Sequence, residues 1–139
     1  MTDKLVCIDP EKINLIWPQV SHFIHAAFVT GLGDDTPETV KADLDNKMAL
    51  LWVVWDGKGL IAAATTKLMV QPNGRKQCVI TSCGGRELPR WIGFIKELED
   101  YARAEGCTQF RMMGRPGWKT WFKEYGYVEP WVCLQKELS

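Results

Sequence analysis

Two strand-like runs, Lys76–Cys83 and Cys107–Met113, bracket one helical pattern, and this arrangement restricts the fold more than any other stretch of the chain. Between them apolar residues recur at Leu88, Trp91, Ile92, Ile95, Leu98 and Ala102, the spacing of a single buried helical face. Gly106 follows where a helix ends on a left-handed residue. A helix with a strand on each side is a βαβ unit, so the spacing predicts that the two strands lie parallel in one sheet. In such sheets ligands settle beyond the carboxyl ends of the strands, against the start of the next helix. Cys83 to Trp91 is therefore the first place to look for a site.

The rest of the sequence supplies mainly antiparallel partners for that unit. KLVCI at 4–8 predicts a short first strand. Asp9-Pro10-Glu11 opens a helix, with Asp9 as cap and Pro10 in the first turn, where its missing N–H costs nothing. Ile13, Ile16, Trp17, Val20, Ile24, Ala27 and Phe28 continue one face of that helix, and Pro18 predicts a kink or break near Trp17. Thr30–Asp35 reads as a loop, and Thr36-Pro37-Glu38 opens a second helix reaching about Lys47. Ala49–Trp55 and Leu60–Val70 are strands joined by the turn Asp56-Gly57-Lys58-Gly59. Gln71-Pro72-Asn73-Gly74 then sends Lys76–Cys83 back antiparallel. Gly117–Tyr125 predicts a short helix and Val128–Glu137 a final strand. The element order is β-α-α-β-β-β-α-β-α-β, without repeats, in a single domain spanning 1–139.

Composition narrows the function. Seventeen basic and 17 acidic side chains give zero net charge, so no overall field gathers nucleic acid or an anionic membrane. No apolar run reaches a membrane-spanning length, and MTDKLVCID has no signal-peptide core, so the expected location is cytoplasmic. The five cysteines are odd in number and lack CxxC or other metal-ligand spacing, which predicts reduced, mostly buried thiols and no metal site. Most of the seven tryptophans, among them Trp17, Trp52 or Trp55, and Trp91, sit on apolar phases and are expected in the core.

The element order, the Gly126-Tyr127 exit after a short aromatic helix, and the Ala-rich DYARAEGCTQF turn together resemble the GNAT family of acyl-CoA-dependent N-acetyltransferases, over nearly the whole chain. The resemblance implies an α+β (α/β) fold, a mixed, mainly antiparallel sheet of six to seven strands with helices on both faces. It also implies that the two parallel strands diverge where a bulge tilts the earlier one. Acetyl-CoA is the implied cofactor and an amine the implied acceptor. Gly114-Arg115-Pro116-Gly117-Trp118, with Lys119, Trp121, Phe122, Lys123 and the earlier Trp17-Pro18, is further similar to small divergent GNAT-like proteins encoded in tailed-phage genomes. That similarity implies the host cytoplasm or the virion as location, and a protein partner or a place in the phage particle.

The family holds the coenzyme's pyrophosphate on Gln/Arg-x-x-Gly-x-Gly/Ala at the start of its central helix, through backbone N–H groups. Arg86-Glu87-Leu88-Pro89-Arg90-Trp91 stands in that place. Arg86 matches the first position, but Pro89 has no N–H to offer and the Trp91 indole crowds the approach. A shifted register makes Gly84-Gly85-Arg86 the anion nest, while a plain strand-to-helix turn also explains the same glycines. The implied cofactor-binding residues are Cys83, Gly84, Gly85, Arg86, Glu87 and Leu88. Where many family members carry a tyrosine as general acid for the departing thiolate, this chain has Phe122, with Tyr125 nearby on another face. No Asp or Glu lies on the strand 77–83. His25 and Tyr125 are the candidate catalytic residues. His25, like His22 on the same helix, is of a residue type that can serve as a base, or is simply structural. Cys78 and Cys83 would act as nucleophiles only with a lowered thiol pKa, for which the helix start near Cys83 is the sole argument.

Two functions follow. One is an acyl-CoA-dependent N-acetyltransferase with a degenerate cofactor loop and weak or absent activity. Its amine would enter between the first helices and the diverging strands, beside His25 and the Gly31–Asp35 loop, and orientation and backbone donors would do most of the catalysis. The alternative is a non-catalytic, phage-encoded structural or binding protein that keeps the fold. A nucleic-acid surface built on Arg111, Arg115, Lys119 and Lys123 with interleaved aromatics is disfavoured by the zero net charge.

Overall fold

The computed structural model describes residues 3–28, 35–114 and 117–138. Strands β1 (Lys4–Cys7), β2 (Ala49–Trp55), β3 (Leu60–Val70), β4 (Lys76–Gly85) and β5 (Gln109–Met112) form one sheet in the order β1-β2-β3-β4-β5. The first four pair antiparallel, whereas β4 and β5 are parallel, as the βαβ spacing requires. Strand side chains alternate between faces, so β2 serves two cores at once. Leu51 and Val53 pack with α1 (Ile13–Ala26) and α2 (Pro37–Asp45), against Val20, Ile24, Val40 and Leu44. Trp52 turns the other way, toward Ile80, Ile95, Leu98 and Phe122. That second face is covered by α3 (Leu88–Trp91), α4 (Ile95–Ala104) and α5 (Trp118–Phe122). Among the described residues no helix is long and apolar enough to cross a membrane.

Capping explains most boundaries. The Asp9 side chain accepts from the Glu11 amide at 2.9 Å, and Pro10 opens a 3-10 turn that leads into α1. Thr36 and Thr39 exchange side-chain and backbone hydrogen bonds across the first turn of α2. Asp56 accepts from the amides of Lys58 and Gly59, closing the β2–β3 turn.

Four expectations need correction. The helix predicted from Leu88 to Ala102 is broken into α3, a 3-10 turn at Ile92–Phe94, and α4. Gly93 sits at the break, where helix propensity is poorest, and the Trp91 indole is drawn back to the Arg86 carbonyl at 2.7 Å. The apolar phase survives the break: Ile92, Ile95, Leu98 and Ala102 are buried, while Lys96, Asp100 and Arg103 are exposed. Conversely, α1 is not divided at Pro18 but continues through it as one helix; Pro18 faces solvent, where water can take the place of the lost backbone bond.

The sheet has five strands among the described residues rather than six or seven, because residues 128–138 form no ladder. Tyr127 is pinned in the helical layer, with its ring against Phe110 and Phe122 and its hydroxyl donating to Glu99 Oε2 at 2.5 Å. Four residues later Trp131 lies 5.6 Å from the Arg111 guanidinium.

The thiols are also less uniform than their sequence context suggests. Cys78 is buried, but Cys7 on the edge strand and Cys133 on the uncovered segment are exposed. Trp17, Trp52 and Trp91 are half-buried and Trp55 is exposed; the Trp52 indole N–H keeps a partner in Thr66 at 2.9 Å.

Candidate functional site: the gap between β4 and β5

One extra residue opens the site. Thr65 faces Ser82 across the β3–β4 ladder but Thr66 faces Ile80, so Thr81 bulges out of register. β5 pairs with β4 only from Gln77 to Ile80, and Met112 is its last residue. From the bulge onward β4 runs to Gly85 with no described strand on that side. The Arg86 amide donates to the Ile61 carbonyl at 2.8 Å, which makes Ala62 and Gly85 a non-hydrogen-bonded pair. By alternation Ala64 and Cys83 are another. The N–H and C=O groups of Cys83 and Gly85 therefore point away from β3, into the gap. Hydroxyls cluster at the bulge: Thr65 Oγ1 lies 2.7 Å from Thr81 Oγ1 and 2.6 Å from Ser82 Oγ.

The loop after β4 sets what a ligand would meet next. A Cβ on Gly84 would stand 2.2 Å from the Phe23 carbonyl oxygen of α1, and one on Gly85 would stand 2.5 Å from the Ala62 Cβ. Close packing accounts for both glycines, and β4 continues through them. The left-handed residue is Glu87, at φ 55° and ψ 61°. The Arg86 amide is engaged by β3, and Pro89 has none. Among the described residues the amides of Glu87 and Leu88 have no acceptor. Arg90 is neutralised by Asp3 at 2.9 Å and Glu87 at 3.0 Å, with Asp56 at 3.8 Å, and the hydrogen bonds to Asp3 and Glu87 push its pKa up. Arg86 has no carboxylate partner among the described residues; its guanidinium reaches the Leu60 carbonyl at 3.3 Å and is otherwise exposed. It is the cation this loop presents.

Behind the gap, on the α3–α5 face, lies an apolar cavity of about 40 Å³ lined in part by Ile80, Cys83, Trp91, Ile92, Trp118 and Phe122. Burial pushes the Cys83 thiol up to about 12, and Cys78 likewise, so neither is a thiolate near neutral pH and neither suits nucleophilic attack.

No family model and no curated protein matches the sequence. Solved structures match over nearly all of it. An aminoglycoside acetyltransferase from an uncultured soil metagenomic sample superposes with a TM-score of 0.72 at 12% identity, covering 100% of both chains. A predicted acetyltransferase from Clostridium acetobutylicum, solved with acetyl-CoA, gives 0.68 at 15% identity over 96% of each chain. Glucosamine-6-phosphate N-acetyltransferase from Arabidopsis thaliana gives 0.67 at 12% identity over 100% of both. This chain has the GNAT acetyltransferase fold.

Within that GNAT frame the candidate catalytic side chains fall on opposite layers. His25 lies two residues beyond Phe23 on α1, about 200° around the helix. Phe23 is buried and its carbonyl abuts Gly84, so His25 faces solvent. His22 is also exposed, with its ring 3.9 Å from that of Phe23. Tyr125 belongs to the other layer, in a 3-10 turn after α5, beneath the Lys96 ammonium at 5.8 Å. It borders an open polar hollow with Lys96, Glu99 and Glu124. Phe122 is buried in the core and brings no hydroxyl. The loop residues 31–34 and Arg115 lie outside the described residues.

The bulge in β4 and its parting from β5 agree with what the family resemblance implied, whereas sequence reasoning missed the hydroxyl cluster and the Tyr127–Glu99 bond. Burial, then Glu99, pushes the Tyr127 pKa up, which fixes the phenol as a donor. The Gly-Tyr exit was the one signal for that contact. The hydroxyl cluster left none, since it depends on which residue of β4 bulges.

Proposed function

We propose that this GNAT-fold protein binds an acyl-CoA along the free edge of β4 and passes the acyl group slowly to an amine. The observation that carries this reading is the pair of unbonded backbone positions, Cys83 and Gly85, aimed into the gap beyond the Thr81 bulge. An extended amide-bearing arm fits such an edge as an added strand would. The Glu87 and Leu88 amides and the Arg86 guanidinium would take the diphosphate, a smaller set than a glycine loop on a long helix supplies, since α3 has four residues. The bound thioester would supply an activated acyl carbonyl. The chain's own contribution is orientation and exclusion of water by the apolar wall at Ile80, Ile92 and Trp118. Tyr125, on the layer of α3–α5, would be the general acid for a departing thiol. His25, exposed on α1 and turned away from the gap, would meet an amine only before it enters. Amine-bearing acceptors are supported by the aminoglycoside and glucosamine-6-phosphate acetyltransferases among the structural relatives.

The second reading, a non-catalytic binding protein that keeps the fold, is favoured by Pro89 and by the broken helix. Calorimetric titration with acetyl-CoA, followed by thiol-release assays on amines, separates the two. We expect binding, slow thiol release, and a loss of roughly 10–100-fold in affinity for Arg86→Ala, the scale of a charge-assisted hydrogen bond. Binding without thiol release supports the non-catalytic reading. Absence of binding at millimolar concentration overturns both the cofactor and the activity.

A further inference from the structure

The cavity of about 40 Å³ behind the gap has the chemistry of a hydrocarbon site. Its walls include Ile80 and Cys83 of β4, Ala64 opposite Cys83 on β3, Ile92 beside the helix break, and Trp118 and Phe122 of α5. The indoles that could have made it polar are engaged elsewhere. Trp52 donates to Thr66 at 2.9 Å, and Trp91 donates to the Arg86 carbonyl at 2.7 Å. A cavity walled in this way stays dry, and an apolar group is what fills it favourably.

Cys83 joins this cavity to the gap. Its backbone groups point to the side where β4 has no neighbour, and its side chain lines the cavity. β5 meets β4 again at Ile80. An arm laid along β4 from the Glu87 and Leu88 amides therefore advances no farther than the bulge, and its end has to turn to one face of the sheet. The α1 face is polar at that point. Ser82 lies on it, two residues before Gly84, whose backbone abuts the Phe23 carbonyl. Thr65 holds the Ser82 hydroxyl at 2.6 Å and the Thr81 hydroxyl at 2.7 Å. The other face offers the cavity. Hydrocarbon at the end of the arm gains by turning toward the cavity, since hydroxyls are poor company for methylenes.

The volume limits the length of that hydrocarbon. An apolar cavity of about 150 Å³ holds benzene, roughly 25 Å³ per carbon, so about 40 Å³ takes about two carbons. The carbonyl carbon and the carbon next to it remain in the gap. We propose that the acyl group carried to this site is a short chain the size of butyryl, with its last two carbons in the cavity under the broken helix, in preference to acetyl. This inference rests on the reading that an acyl-CoA lies along β4.

Calorimetric titration of the full chain with acetyl-CoA, butyryl-CoA and octanoyl-CoA tests it. Butyryl-CoA should bind about 10–20-fold more tightly than acetyl-CoA, the gain from burying two further methylenes. Octanoyl-CoA, too long for the cavity, should bind more weakly than butyryl-CoA. Ala64→Val adds two carbons to the cavity wall and should bring the acetyl and butyryl affinities within about twofold of each other. Phe122→Leu enlarges the cavity and should move the preference to hexanoyl-CoA. Far-UV circular dichroism and thermal melting check that each variant is folded. Equal affinity of the parent for acetyl-CoA and butyryl-CoA, octanoyl-CoA binding as tightly as butyryl-CoA, or a preference unchanged in both folded variants overturns this inference and leaves the acyl-CoA reading standing. A parent that binds none of the thioesters overturns that reading, and this inference with it.

Discussion

The two faces of the sheet are built differently, and the difference separates scaffold from site. On one face α1 runs fourteen residues without a break, and Val20, Ile24, Val40, Leu44 and Leu51 are sealed beneath α1 and α2. On the other, the corresponding helix is broken at Gly93, a cavity of about 40 Å³ remains under it, and the strands part beside it. The closed face holds β2 and β3 in place. The open face leaves room beside an unpaired backbone edge. A protein interior is normally filled to crystal-like density, so a void next to a strand gap marks where packing has been traded for access.

The comparison is tested most severely by large-to-small changes. Ile24→Ala, in the sealed face, should lower unfolding free energy by about 4 kcal/mol, while Leu98→Ala, beside the cavity and freer to relax, should lower it by about 3 kcal/mol. Chemical denaturation of both variants checks this, and equal or reversed losses would remove the distinction. Gly84→Ala places a methyl against the Phe23 carbonyl, where the backbone rather than a side chain has to yield, and should cost about 2 kcal/mol by the same measurement.

Alkaline pH sharpens the contrast next. Burial holds the Cys78 and Cys83 thiols near 12 in the fold, against an ordinary value of 9.0. A folded pKa above the unfolded one gives stability that is complete below pH 9 and declines as pH rises toward 12, because the unfolded chain loses those protons first. Denaturation midpoints measured from pH 8 to 11 should therefore fall, and Cys83→Ala should shallow the slope. The smallest effects belong to Lys96→Ala and Asp100→Ala, exposed on the outer side of α4, which should stay within about 0.5 kcal/mol of the parent in thermal melts.

How much of this was legible beforehand depends on which physics each feature uses. The βαβ unit, the β2–β3 turn and the burial phase from Ile92 to Ala102 were readable, because local spacing and turn chemistry determine them. The break at Gly93 was not, since the apolar period continues across it and gives no sign that Trp91 reaches back to Arg86. Val128–Glu137 has every local mark of a strand, but a strand exists only where a neighbour accepts its hydrogen bonds. The site residues divide the same way. Arg86 and the proline at 89 were visible as side-chain chemistry, and the bulge and parting strands came through the family resemblance, but which backbone groups face the gap, those of Cys83 and Gly85, needs the ladder register.

The contact between Gly84 and the Phe23 carbonyl carries a mechanical consequence. With no side chain between them, the last turn of α1 bears directly on the strand that flanks the gap, as a lever bears on its fulcrum. A tilt of α1 would meet β4 without a cushion of rotatable atoms between them. A change in the attitude of that helix should therefore be felt at the edge of the gap.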